Sequence, residues 1–137
     1  MKRPPSLQPL PASASRLFVG VDISAQTAVV AWIVPGEPVT HPIALEQTAS
    51  GFLALQDRLL ATGVAPAHLL IVPEATGTSW LKLAITLVQA GFTVSVINPA
   101  QAHEFAKALL KRAETDAIDA QTLAQLAERL QPPLHCP

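Results

Sequence analysis

Apolar and small or polar residues alternate from position 16 to 24, around Leu17, Val19 and Val21 and into Asp22, and a period of two predicts a strand. After a polar turn at Ser24-Ala25-Gln26, residues 27–34 are β-branched and aromatic and predict a second strand. Pro35-Gly36-Glu37-Pro38 reads as a turn. Val39 to Leu45 predict a third strand, placed at a sheet edge because Pro42 has no N–H to give to a ladder. The period then changes. Phe52, Leu55 and Leu59 recur at helical spacing behind a capping Thr48 and before Gly63. Leu69 to Val72 form a short, wholly apolar run of the kind buried in a parallel sheet. Residues 78–90 predict a helix with Leu81, Ile85 and Val88 inward and Gly91 as its stop, and Phe92 to Ile97 predict a fifth strand. Asn98-Pro99 opens another helix, with proline suited to its first turn, running to about Leu110. A last helix is expected from near Thr115.

Three strands in a meander, followed by alternating strands and helices, predict an α/β fold: a mixed five-stranded sheet with helices on both faces. In such sheets, sites form beyond the carboxyl ends of the parallel strands. Asp22 and Glu74 both stand at such ends, in Phe18-Val-Gly-Val-Asp22-Ile-Ser24 and Leu70-Ile-Val-Pro-Glu74-Ala-Thr-Gly77. They meet if their strands are neighbours, and the pattern alone does not decide that adjacency.

The third acidic segment is Glu114-Thr-Asp116-Ala-Ile-Asp119-Ala120. At about 100° per residue, Asp116, Asp119, Leu123, Leu126 and Leu130 fall within an arc of roughly 80°. Leucines mark the face that packs on the body of the protein, so both aspartates are expected on that stripe. The plainer alternative has Thr115 capping the helix while the aspartates complement its dipole. Carboxylates a few ångströms apart repel by about 4 kcal/mol per pair at an effective dielectric near 20. A cluster of four therefore calls for a divalent cation. Mg²⁺, or Mn²⁺ in its place, suits all-oxygen ligands and keeps waters for a phosphate.

Composition narrows the setting. With 137 residues, half of them hydrophobic, the chain can bury one core. The expected organisation is a Pro-rich arm over 1–15, one domain over 16–131 and a loose tail over 132–137. No apolar run reaches the length of a membrane span. Met1-Lys2-Arg3 lacks the apolar stretch that a signal peptide would need after it. The lone Cys136, beside His135, allows no internal disulfide and no zinc site. A reducing, cytoplasmic location is expected. A net charge of −1 is unlike the basic footprint of most nucleic-acid binders, so against DNA this domain would contribute chemistry more than grip.

Taken in order, Gly20-Val-Asp22-Ile-Ser24, Glu74-Ala-Thr-Gly77, Val96-Ile-Asn98-Pro99 and Thr115-Asp116-Ala-Ile-Asp119-Ala120 resemble the N-terminal domain of the DEDD transposases. These are the enzymes of insertion-sequence family one-ten, related to pilin-inverting recombinases. The resemblance covers about residues 16–131. It implies a ribonuclease-H-like, RuvC-like fold in which Asp22, Glu74, Asp116 and Asp119 are the catalytic, Mg²⁺-holding tetrad. It also implies DNA recombination by cutting and rejoining, guided by an RNA that the element encodes. A C-terminal domain supplies a serine nucleophile in that family, and none of Ser6, Ser13, Ser15, Ser24, Ser50, Ser79 or Ser95 matches it. The chain is therefore expected to act as a catalytic half that cannot complete strand exchange alone, with the full-length protein a homo-oligomer. Three positions depart from the pattern: Glu114 where a basic residue is frequent, Ala25 in place of a lysine, and Trp80 in place of a tyrosine.

Other groups carry weaker signals. Lys107, Lys111 and Arg112 form a basic patch that could touch a nucleic-acid backbone or be an ordinary solvated face. His103 lies on the same helix. His41 and His68 read as surface residues, and Trp32 and Trp80 as packing. Gly77, shortly after Glu74, reads either as a residue that permits unusual backbone dihedrals or close approach or as one that simply shapes the strand-to-helix turn. Two rival functions share parts of the pattern. An actin-like ATPase lobe also opens with Gly-x-Asp, but it wants glycine-rich phosphate loops, and the six glycines here are never clustered. A non-catalytic transposase domain acting as an oligomerisation partner would carry the same acids idle.

Overall fold

A computed structural model of the chain describes residues 17–75, 77–110 and 119–130. Five strands, β1 (Leu17–Ile23), β2 (Thr27–Ile33), β3 (Ile43–Glu46), β4 (Leu69–Pro73) and β5 (Thr93–Val94), form one sheet in the order β3-β2-β1-β4-β5. The first three strands are antiparallel neighbours, whereas β4 runs parallel to both β1 and β5. Four helices accompany them: α1 (Ala49–Leu60), α2 (Trp80–Gln89), α3 (Pro99–Leu110) and α4 (Ala120–Leu130), with a short 3-10 turn at Pro66–His68. This is the mixed five-stranded α/β architecture expected from the pattern, and it is consistent with the RuvC-like fold that the resemblance implies.

Alternation along the two central strands sorts the core into two layers. Leu17, Val19 and Val21 of β1 and Leu69 and Ile71 of β4 face α1 and α2, where they meet Phe52, Leu55, Leu59, Leu83 and Leu87. Phe18, Leu70 and Val72 point the other way and meet Ala102 of α3 with Leu123, Leu126 and Ala127 of α4. β1 and β4 are buried along nearly their whole length, as strands covered on both faces must be.

Several local expectations hold at atomic detail. The Thr48 hydroxyl accepts the Gly51 N–H at 3.1 Å and caps α1. Asn98 Oδ1 accepts the Gln101 N–H at 2.8 Å, and Pro99 occupies the first position of α3. Trp32 and Trp80 pack against the first core layer, as their packing reading requires.

Other expectations need correction. Only Ile43–Glu46 of the third strand is regular. Thr40 folds back first, its N–H donating to Trp32 O and its hydroxyl accepting from Trp32 N, both at 2.9 Å. The fifth strand is regular over only two residues, but extended pairing continues, with Ser95 N donating to Ile71 O and Ile97 N to Pro73 O. On α2, Leu83, Ala84 and Leu87 are the buried residues, whereas Leu81 and Ile85 are 48% and 40% exposed. Both stripes of that helix are apolar, so periodicity alone could not choose between them. The exposed stripe instead lines a shallow groove with Val94 and Val96 of the sheet edge. Finally, regular α4 begins at Ala120, after Asp119, rather than near Thr115. Asp116 and Thr115 lie outside the described residues, as do the Pro-rich arm and the tail. No described helix is long and apolar enough to cross a membrane.

Candidate active site

The sheet order answers the question that the sequence left open. β1 and β4 are direct parallel neighbours, paired from Leu17↔Leu69 to Val21↔Pro73. Asp22 and Glu74 are the next residue on each strand, so the two acids leave the same carboxyl edge side by side. They share the parity of Phe18 and Gly20 on one strand and of Leu70 and Val72 on the other, which is the α4 face of the sheet. Glu74 is held from its other side by a parallel bridge to Ile97, and the Ala75 N–H donates to Ile97 O at 2.8 Å.

Asp119 reaches the same corner through α4, and Gly20 is the reason. A Cβ on Gly20 would stand 2.2 Å from Ala120 O, 2.3 Å from Ala124 N and 2.7 Å from Leu123 C. No side chain fits between this strand and this helix, so the first turn of α4 lies directly on β1, two residues before Asp22. The turn is buried to match, with Ala120, Leu123 and Ala124 each 0% exposed. Asp119 is the cap of α4: its Oδ1 accepts the Thr122 N–H at 2.8 Å and its carbonyl accepts the Leu123 N–H at 3.0 Å. Asp119 thus caps the described helix, while Thr115, the cap of the plainer alternative, lies outside the described residues.

Electrostatics link the two aspartates. Burial of half-buried Asp22 holds its carboxyl above the usual carboxylate range, and the nearby charge of Asp119 pushes it further in the same direction. An acid raised by a neighbouring acid is what a cation would relieve. Among the described residues, however, no group of three or more His, Cys, Asp or Glu side chains is gathered tightly enough to hold a metal ion. The structure thus brings Asp22 and Asp119 together and puts Glu74 on the same edge, while Asp116 falls outside what it describes.

The loop after Glu74 has the backbone its sequence suggested. Gly77 has a φ of +62°, with nothing within 4 Å of where a Cβ would stand, so conformation rather than space demands glycine. Trp80 Nε1 donates to Gly77 O at 3.0 Å, tying the start of α2 to that turn. Of the basic patch, Lys107 is an exposed residue of the last turn of α3; Lys111 and Arg112 lie outside the described residues. His103 is half-buried on the same helix.

Pattern reading missed the seat that Gly20 makes for α4. Its only sequence signal was a glycine inside a strand, which marks either a bulge or a close backbone approach. It also missed Gln47, whose Nε2 donates to Ser24 O at 2.7 Å and to Ser79 O at 3.2 Å. That side chain clamps the turn after β1 to the loop after β4, the two segments that follow the strand-end acids.

Residues 19–136 match the family model of the IS110 DEDD transposases. Over 123 residues, 90% of this chain, the sequence is 32% identical to the pilin gene-inverting protein of Moraxella bovis. It is 31% identical over the same length to the pilin gene-inverting protein of Moraxella lacunata. The chain spans 38% of the length of each of these relatives. The match leaves no place for the actin-like ATPase lobe: the chain belongs to the IS110 family of DEDD transposases.

Proposed function

We propose that this chain is the metal-dependent catalytic domain of a DNA transposase or recombinase, cutting and transferring DNA strands. The observation that carries the reading is that Asp22 and Glu74 leave the same carboxyl edge of two adjacent parallel strands, with the charge of Asp119 near enough to act on Asp22. Their donor chemistry fits Mg²⁺ or Mn²⁺: all are carboxylate oxygens, and burial, with the like charge of Asp119 added, already raises Asp22. Asp22 and Glu74 would hold the cation from the strand ends. Asp119 would hold it with its second oxygen while Oδ1 keeps the helix cap. Asp116, three residues earlier, would be the fourth ligand. A bound divalent cation supplies charge stabilisation for the oxygens exchanged in phosphoryl transfer.

The chain's own part is to orient. β1 and β4 fix two carboxylates on rigid, buried strands, and the Gly20 contact keeps α4, and with it Asp119, from drifting away from them. The serine nucleophile of the family would come from a second domain, so the domain alone would not complete strand exchange. An element-encoded RNA and a homo-oligomer of the whole protein belong to the same reading. The test is an inversion assay on DNA carrying cognate sites, with this chain fused in place of the matching segment of a pilin gene-inverting relative. Recombined product is expected from the fusion, and none from its Asp22→Ala form or from this chain alone. Product from the 137-residue chain by itself, or undiminished product from the Asp22→Ala fusion, would contradict the proposal.

A further inference from the structure

Close packing is not all that fixes the first turn of α4 to the body of the protein. The side it lays on Gly20 is made of Ala120, Leu123 and Ala124. Apolar contact of that kind is non-directional. It sets how near the helix lies to β1, but it leaves the helix free to roll about its axis. Gln121, half-buried in the same turn, adds direction: its Nε2 donates to Thr40 O at 2.9 Å. Thr40 is itself held at two points, its N–H donating to Trp32 O and its hydroxyl accepting from Trp32 N, both at 2.9 Å. Trp32 in turn pairs with Val19 of β1. A chain of contacts thus runs from β1 through β2 and the fold-back at Thr40 to the start of α4. The same fold-back that shortens the third strand supplies the carbonyl that Gln121 grips.

We propose that Gln121 is a positioning residue that, through Thr40, holds α4 in the rotation at which Asp119 faces Asp22. The inference rests on the functional reading above, in which the two acids share a cation. Residues 119 and 121 stand about 200° apart around the helix axis, with Ala120 between them against the strand. Their side chains therefore leave on opposite flanks of the helix. The partners are disposed to match. Thr40 is anchored level with Val19, whereas Asp22 lies three residues further along β1, about 10 Å away. If the tether is cut, the turn can roll on its seat and carry Asp119 away from Asp22 while the apolar contacts persist. Ligands of a small divalent cation tolerate little such movement, because the ion demands short distances and near-ideal geometry.

The test compares Gln121→Met, which keeps the length of the side chain and removes its donors, with Leu59→Ala on the opposite face of the sheet. Three quantities are measured on the full chain: Mn²⁺ affinity by calorimetry, the denaturation midpoint, and the exchange rates of the Thr122 and Leu123 amides, which donate to Asp119. Gln121→Met is expected to weaken Mn²⁺ binding about tenfold and to speed exchange of both amides several-fold, with the smaller fall in midpoint. Leu59→Ala is expected to lower the midpoint further and to bind Mn²⁺ like wild type. Wild-type affinity in Gln121→Met, or an equal loss of affinity in Leu59→Ala, would overturn the positioning role and leave the metal-site reading intact. Absence of Mn²⁺ binding by the wild type would instead remove that reading. The amides then judge the tether alone, and unchanged exchange in Gln121→Met would overturn it.

Discussion

The two faces of the sheet solve different problems. On one, α1 and α2 cover β1, β2 and β4 with large aliphatic and aromatic side chains, Phe52, Leu55, Leu59, Leu83 and Leu87 among them. Helix and sheet are held apart there by the side chains between them. On the other face, α4 comes down onto Gly20 until backbone meets backbone, and alanines at 120, 124 and 127 replace bulk. The first face is ordinary core. The second sacrifices side-chain volume to bring a helix cap, Asp119, beside a strand-end acid, Asp22. Where a fold must place charges, close approach matters more than the quantity of apolar area buried.

The contrast can be broken from either side. Truncating the wholly buried Leu59 to alanine is expected to cost about 2–5 kcal/mol of stability, with the surviving folded protein keeping its affinity for divalent cations. Gly20→Ala is expected to cost about 1–3 kcal/mol through overpacking and also to weaken cation binding, because α4 must lift away with Asp119. Chemical denaturation and calorimetry on both variants read the two quantities. Equal cation affinity in Gly20→Ala and Leu59→Ala would dissolve the distinction between the faces.

Asp119 separates cap from charge on a finer scale. Asp119→Ala should lose about 1 kcal/mol with its cap. Asp119→Asn retains a capping oxygen and should retain most of that stability while still losing cation affinity. If both variants bind the cation like wild type, Asp119 serves the helix alone.

The smallest effect is a pH dependence. A carboxyl raised in the folded state binds its proton more tightly there than in the unfolded chain. The stability Asp22 contributes is therefore full below its unfolded titration and is lost as pH rises through its folded one. In chelator, thermal unfolding followed as pH rises from the ordinary aspartate range upward should show that decline, and Asp22→Asn should flatten it. A decline unchanged in Asp22→Asn would assign it to other groups.

Much of this was legible in the sequence, for identifiable reasons. Strand period, the Thr48 cap and the Asn98-Pro99 helix start are local signals, and the structure keeps them. The strand-end positions of Asp22 and Glu74 could be read directly, but their adjacency depends on β4 inserting beside β1, a long-range choice that no local pattern encodes. The inward stripe of α2 was misassigned because Leu81 and Ile85 are as apolar as Leu83 and Leu87. Asp119 was expected on a helical stripe because its spacing to Leu123 and Leu126 fits one. A cap residue continues that spacing without belonging to the helix. Gln47 gave no signal, since a glutamine before a helix cap looks like any solvated turn residue.

The most direct test of the central claim is calorimetric titration of the chain with Mn²⁺ and Mg²⁺, alongside Asp22→Ala, Asp116→Ala and Asp119→Asn. Binding by the wild type is expected, and its loss in all three variants, because strand-end and helix acids share one site. Wild-type binding that survives Asp22→Ala would contradict it.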